Sequence, residues 1–420
     1  MTEPRLVDRL SKVPDAVVRV PGSKSLTNRA LLCAALSRGQ TVLLGALAAD
    51  DTDAMIECLQ RAGVAVGWQG DDLVVDGTGR LGANAATLDA QLSGTTSRFL
   101  LPVLAASPGT WVLDGAEPLR ARPFGPLLDA VRRLGGDVRE RGEAGCLPLA
   151  IWGTLLEGGV VTVAGDVSSQ FVSALLLATP LLNGGLTLEV DGPLVSEPYV
   201  EMTRAVMGAF GVQVDALHVP PSRYESPGGY VIEPDASAAS YFFAIAAVTG
   251  GSITVDDLGS ESIQGDLAFA TEVLTEMGCT VEQKEHSTTV HGPLGGVPHG
   301  IEVDLGAMPD MAQTLAAIAV FADAPTRVRG VGIIRGHETN RIDAVVTELQ
   351  RLGIEAHEHK DGFTVVPGRP KAGTVSTYGD HRMAMAFTII GLRAGGVKIA
   401  DSDCVAKTFP AFFETVDSLG

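Results

Sequence analysis

The stretch Pro21-Gly22-Ser23-Lys24-Ser25-Leu26-Thr27-Asn28-Arg29 opens with a turn pair, passes through small hydroxyl residues and runs into an apolar segment at 30–36. This order predicts a helix whose first turn is capped by Ser23 or Ser25. Gly39 stands just past the expected end, where a left-handed residue is wanted. A helix start presents unpaired backbone N–H groups and the positive end of the dipole, and both favour anions. Lys24 and Arg29 add two fixed positive charges in the same turn or the next. The stretch reads as a seat for a phosphate or carboxylate. A capped helix with two solvated cations is the plainer alternative.

The same pattern returns along the chain: small polar cap, apolar helix, strand, second helix, then a glycine and further strands. Equivalent starts stand at Ser93-Gly94-Thr95-Thr96-Ser97-Arg98, Asp166-Val167-Ser168-Ser169-Gln170, Asp235-Ala236-Ser237, Met308-Pro309-Asp310 and Tyr378-Gly379-Asp380-His381-Arg382, roughly 70 residues apart. In the first unit the second helix is expected over 52–62; in the second unit it starts at Pro123, a good first-turn residue. Short extra strands are expected at 73–75, 147–151, 230–232, 288–290 and 363–366. The sixth unit lacks its closing strands, and strand-like pieces at 5–7 and 16–20 are free to complete it. Six units in two lobes of three is the economical solution. One lobe spans 21–232, the other 1–20 plus 233–420.

If equivalent caps face the same way within a lobe and the lobes face each other, several positive helix ends meet in a cleft. Lys24, Arg29, Arg98, Arg122, Arg335, Arg341, Arg382 and Lys407 lie near those ends. That predicts a basic cleft for a ligand with more than one anionic group, unless the cations are unrelated surface charges.

Composition agrees with a globular, two-domain chain: 420 residues, 45% hydrophobic, 19% charged and 50 glycines. The formal charge, 31 − 50 = −19, disfavours nucleic acid and anionic membrane as partners. Residues 1–13 are charged and lack a signal-peptide core, and the apolar stretches 171–182 and 312–321 are short of a bilayer span. The five cysteines are scattered, without metal-ligand spacing, so a reduced, cytoplasmic protein is expected.

Taken together, Pro21-Gly22-Ser23-Lys24-Ser25 with Asn28-Arg29, Ser93-Gly94-Thr95 with Arg98, Arg122-Pro123, Gly165-Asp166-Val167-Ser168-Ser169-Gln170-Phe171, Ser196 with Pro198-Tyr199, Pro309-Asp310, Arg335 with Glu338-Thr339-Asn340-Arg341, Asp380-His381-Arg382-Met383-Ala384-Met385 and Ala406-Lys407-Thr408-Phe409-Pro410 resemble the 5-enolpyruvylshikimate-3-phosphate synthase family. The match runs in order through all six units. It implies an α/β protein with two lobes, each of three βαβαββ units, an inside-out α/β barrel with the active site in the cleft between the lobes. It further implies transfer of the enolpyruvyl group of phosphoenolpyruvate to the 5-hydroxyl of shikimate 3-phosphate, on the route to chorismate and the aromatic amino acids. The implied chemistry is addition and elimination through a tetrahedral intermediate, with no metal or organic cofactor. A monomer is expected, and closure of the cleft on binding, because reactants this charged need water excluded and contacts completed from both lobes.

By this resemblance Lys24, Ser25, Arg29, Ser168, Ser169, Gln170, Ser196, Tyr199, Asp310 and His337 hold shikimate 3-phosphate. Lys24, Gly94, Arg122, Gln170, Arg341, Arg382 and Lys407 hold phosphoenolpyruvate. Asp310 and Glu338 form the proton-transfer pair, with Lys24 as a further catalytic group. The residue types suit those roles. Arginine forks bind carboxylate and phosphate bidentately, and glycine at 94 lets backbone approach a ligand. Two carboxylates in different environments can divide acid and base work. Asp310, at a helix start, is expected to stay ionised through the dipole and act as base; Glu338 or Lys24 protonates the methylene carbon.

Two positions depart from the family pattern. His337 stands where its best-known members have lysine, and Ile333 where they have an asparagine that contacts shikimate 3-phosphate. Histidine replaces a cation only when protonated, so pH sensitivity near its reference pKa of about 6.5 is expected. The glycine at 94 also implies inhibition by glyphosate in competition with phosphoenolpyruvate. The rivals are UDP-N-acetylglucosamine enolpyruvyl transferase, which relies on a loop cysteine nucleophile, and a paralogue that binds anions without turnover.

Overall fold

The computed structural model describes residues 3–166 and 168–420; Val167, part of the third quoted start, lies outside the described residues. The chain forms two compact units, Gly22–Glu233 and the chain up to Pro21 with Pro234–Gly420.

Among the described residues the Gly22–Glu233 unit holds three sheets and three buried helices, Lys24–Leu36, Gly94–Ala105 and Ser169–Ala178. Every residue of Gly94–Ala105 is buried, which a helix apolar on all sides requires. In each sheet a parallel pair flanks such a helix: Ala85–Asp89 beside Gly109–Asp114, Gly159–Ala164 beside Leu186–Asp191, and Gly229–Val231 beside Arg38–Leu44. The helices occupy the middle and the sheets the outside, an inside-out arrangement. At Gly77 and Gly153 the strand passes so close to the carbonyls ending the buried helix that a Cβ would collide with Ala34 O and Ser107 O respectively.

The other unit repeats the plan around Ala236–Thr249, Ala312–Ala319 and His381–Ala394. Its parallel pairs are Asp15–Val18 with Ser252–Asp256, Glu302–Asp304 with Thr326–Arg329, and Gly373–Val375 with Val397–Ile399.

Four strands that precede a buried helix, Ala85–Asp89, Gly159–Ala164, Glu302–Asp304 and Gly373–Val375, escape the sequence pattern, whereas Asp15–Val18 and Gly229–Val231 overlap the strands expected at 16–20 and 230–232. The latter two are supplied from far away in the chain. Gly229–Val231 pairs with the first repeat rather than closing the third, and Asp15–Val18 joins the fourth repeat. Of the two N-terminal strands, only Arg5–Val7 completes the sixth repeat, antiparallel to Val397–Ile399.

Local details also shift. Ser23, not Ser25, caps the first helix, accepting from Leu26 N. That helix ends at Leu36 and leads directly into the strand Arg38–Leu44, so Gly39, with φ of +94°, is a strand residue rather than a helix cap. The helix expected from Pro123 begins at Gly125, with Pro126 in its first turn. Ser93, Ser168, Asp235 and Asp380 cap their helices as Ser23 does. Asp310 instead sits in a 3-10 turn, Pro309–Met311, ahead of the helix Ala312–Ala319. Among the described residues no helix is long and apolar enough to cross a membrane.

Candidate active site

In the Gly22–Glu233 unit the helix starts gather the expected polar residues. Lys24 is the first residue of its helix, and its Nζ lies 3.1 Å from Asp51 Oδ2, in the first turn of Asp50–Arg61. Gly94 opens its own helix with two guanidinium groups against it. A Cβ there would stand 3.1 Å from Arg122 Nη1 and 3.5 Å from Arg98 Nη1. Arg98 Nη1 donates to Gln170 Oε1 at 2.6 Å, which joins the second repeat to the third. Gly94, Arg98, Arg122 and Gln170 therefore form one cluster.

Arg29 is 2% exposed, and its guanidinium donates to Thr203 Oγ1, Ser173 Oγ and the carbonyls of Ser25 and Tyr199. It pins three helices together. Burial lowers its pKa to about 10, which leaves it charged at neutral pH. Ser168 and Ser169 form the start of the third buried helix, and Ser196 is buried with a left-handed backbone, φ +53°. A non-glycine residue in that region is uncommon and needs surrounding structure to hold it.

The second unit builds a tighter cluster around Arg341, whose side chain is 2% exposed. Its Nε donates to Asp380 Oδ2 at 2.7 Å, Nη1 to Asp310 Oδ1 at 2.8 Å and Nη2 to Glu338 Oε2 at 2.7 Å. Arg382 Nη2 takes the other oxygen of Asp310 at 2.7 Å, and Lys407 Nζ the other oxygen of Glu338 at 2.8 Å. Burial opposes the charge of Arg341, but Asp380, Glu338 and Asp310 outweigh that and raise its pKa above the ordinary arginine value. Arg382 also donates to Tyr241 OH at 3.4 Å, a phenol that burial pushes up to about 12. Two guanidinium groups, rather than a helix end, meet the charge of Asp310.

Three cations face three carboxylates here, so this cluster is charge-balanced rather than the purely basic surface expected from the sequence. Arg335 is not part of it; its side chain turns to Glu358 and the carbonyls of His359 and Lys360. Asp51 and Asp380, which clamp Lys24 and Arg341, were not singled out as ionic partners in the sequence. Their only signal is an acid in the first turn or cap of a helix.

His337 Nδ1 lies 3.0 Å from Arg341 Nη1 and 3.7 Å from Asp310 Oδ1. Arginine nitrogen only donates, so in its contact with Arg341 Nδ1 is the acceptor. Ile333 packs half-buried against the apolar core. Among the described residues no group of three or more His, Cys, Asp or Glu could hold a metal ion. Burial raises every cysteine thiol, Cys33, Cys58, Cys279 and Cys404 to about 12, which disfavours a thiolate nucleophile.

A six-repeat α/β fold whose acids are held by fixed guanidinium and ammonium groups narrows the class of protein, and the comparisons with known proteins name it. A sequence model of EPSP synthase (3-phosphoshikimate 1-carboxyvinyltransferase) matches residues 9–416. A 3-phosphoshikimate 1-carboxyvinyltransferase of Trichormus variabilis is 41% identical over 415 residues, 97% of each chain. An EPSP synthase of Acinetobacter baumannii superposes with a TM-score of 0.80 at 25% identity, covering 99% of this chain and 98% of that one. An enolpyruvyl transferase of Streptomyces tendae, at 19% identity and a TM-score of 0.78, shares the fold over 98% of this chain and 96% of its own. The chain belongs to the EPSP synthase family.

Asp380→Ala is expected to destabilise the unit carrying Arg341 by about 3–5 kcal/mol, the usual cost of stripping one partner from a buried charge. Asp380→Asn, which keeps an oxygen for the helix cap, should lose less. Denaturation midpoints of the two variants check this; midpoints equal to wild type would show that the pair contributes nothing.

Proposed function

We propose that the chain transfers the enolpyruvyl group of phosphoenolpyruvate to the 5-hydroxyl of shikimate 3-phosphate, releasing phosphate, as a cytoplasmic monomer. The observation that carries this reading is the bridged pair Asp310 and Glu338, both on Arg341, with Arg382 and Lys407 on their outer oxygens. Addition forms the bond from the 5-oxygen to C2 of the donor, while the hydroxyl proton leaves and C3 gains a proton. Elimination breaks the C2–phosphate oxygen bond and returns C3 to a methylene by loss of a proton. Asp310 takes the hydroxyl proton, and Glu338 or Lys24 serves C3.

Phosphoenolpyruvate is assigned to Lys24, Gly94, Arg122, Gln170, Arg341, Arg382 and Lys407. Shikimate 3-phosphate is assigned to Lys24, Ser25, Arg29, Ser168, Ser169, Gln170, Ser196, Tyr199, Asp310 and His337. Acids that already hold the cations in place lower the ordering needed when an anionic reactant binds. The guanidinium groups against Gly94 support its place beside the donor.

Phosphate release tests the reading. It is expected with phosphoenolpyruvate plus shikimate 3-phosphate, and not with UDP-N-acetylglucosamine as acceptor or with the donor alone. Release with the nucleotide sugar only, or none at all, would select one of the rivals.

Gly94→Ala adds a methyl at 3.1 Å from Arg122 Nη1, so that arginine must shift. Weaker glyphosate inhibition, with a higher KM for phosphoenolpyruvate, is expected; equal inhibition constants for the two proteins would contradict the placement.

A third outcome concerns His337. To act as a cation toward the substrate phosphate it must gain a proton on the nitrogen now facing Arg341. Its contribution therefore fades as pH rises and that proton is lost. The ratio of KM for shikimate 3-phosphate in wild type to that in His337→Lys should rise about threefold or more from pH 6 to 8. Taking the ratio cancels the substrate's own titration; a flat ratio removes His337 from the phosphate site.

A further inference from the structure

Glu348 lies outside the assigned site, on the Arg341–Arg351 helix, and its side chain is 0% exposed. Its carboxylate is fully engaged. Oε2 accepts from Ser376 N at 3.1 Å and from Arg351 Nη1 at 3.0 Å, and Oε1 accepts from Tyr378 OH at 2.7 Å. Arg351 Nη1 also reaches Ser376 Oγ at 3.0 Å. A buried acid therefore grips the short loop that leads into the His381–Ala394 helix.

That loop is a tight turn. Tyr378 and Gly379 have φ of +58° and +68°, and Asp380 N donates to Thr377 O at 2.9 Å. Two successive left-handed residues under such a bond make a type I′ turn, whose first central position favours Asn, Asp or Gly. Tyrosine is a poor occupant there, since its Cβ crowds the backbone. The residue is also 44% exposed, so core packing does not hold it in place. Its hydroxyl on Glu348 does.

The next residue out of the turn is Asp380, which caps the helix through Arg382 N at 2.9 Å and accepts both Nε and Nη2 of Arg341. Glu348 and Arg341 stand seven residues apart on one helix, two turns along the same face. The helix thus holds the loop at two points, Arg341 on Asp380 and Glu348 on Ser376 and Tyr378. One point alone would leave the turn able to swing. Two points fix the direction in which the following helix presents Arg382.

We infer that Glu348, acting through Tyr378, is a positioning residue that sets Arg341 and Arg382 for the donor carboxylate or phosphate. This inference rests on the assignment of phosphoenolpyruvate to those two arginines.

The test compares wild type with Tyr378→Phe, Glu348→Gln and Tyr378→Asn. Tyr378→Phe removes only the hydroxyl and should raise KM for phosphoenolpyruvate about fivefold, with kcat and KM for shikimate 3-phosphate within about twofold of wild type. Glu348→Gln should raise the same KM by as much or more. Tyr378→Asn lacks the tether but suits the left-handed turn, so it should recover part of the loss. A Tyr378→Phe enzyme with unchanged KM for phosphoenolpyruvate overturns the inference. So does a parallel shift of both KM values and kcat along with a lower Tm, which marks general stability.

Wild type is run in the same assay. If it turns over neither substrate, the functional reading fails by itself. Amide hydrogen exchange over 376–382 in Tyr378→Phe then decides the positioning role: faster exchange confined to that segment supports it, and unchanged exchange overturns it.

Discussion

A single buried guanidinium organises the Pro234–Gly420 unit. Arg341 carries a charge that would be expensive to bury alone, and three carboxylates from two repeats meet it: Asp310 and Glu338 of the fifth and Asp380 of the sixth. Each carboxylate is in turn fixed by a second group. Arg382 holds Asp310, Lys407 holds Glu338, and the start of the helix His381–Ala394 holds Asp380. Removing any one leaves an uncompensated charge in a low-dielectric interior, where the cost is several kcal/mol. Such a network is all-or-none in character, so it sets side-chain positions more tightly than packing alone.

The fold prepares that network by repetition. Each repeat ends a parallel strand, turns and starts a buried helix, and buried polar and charged residues gather at that turn. Because the buried helices are apolar on all sides, their starts are the main places in the interior that need polar partners. The protein meets that need with Ser, Asp and Gly caps, and it places Lys24, Arg98 and Arg382 within the first turn or so. Cationic side chains are thus placed by the same geometry that completes the helices, at ends whose dipoles favour anions.

Overall charge and local charge differ here. A chain of net charge −19 repels anions at long range, yet its clusters set acids directly on the cations. Acids such as Asp51 and Asp380 keep long flexible side chains in one geometry. The price of that order is met in folding instead of in binding. In Gly22–Glu233 neutral groups do the same work, as Gln170 does for Arg98 and Thr203 for Arg29.

Much of the architecture was legible in the residue order. Cap, apolar helix, glycine and strand return six times, since each repeat must solve the same problem of starting a buried helix, and the quoted runs identify the family. Pairings distant in sequence were not legible. Nothing local in 229–231 or 15–18 tells that these strands serve the first and fourth repeats, because a three- or four-residue strand takes its partner from whatever edge is open. The ionic partners were hidden for the same reason. Tyr378 and Asp380 read as part of a helix start, and nothing in the residue order marks Glu348 as their neighbour. Only the folded chain brings Arg341 against Asp380 and the tyrosine hydroxyl against Glu348. Sequence by itself determined the repeat and the family; tertiary structure decided which charge answers which, since Coulombic pairing depends on distance in space and not on separation along the chain.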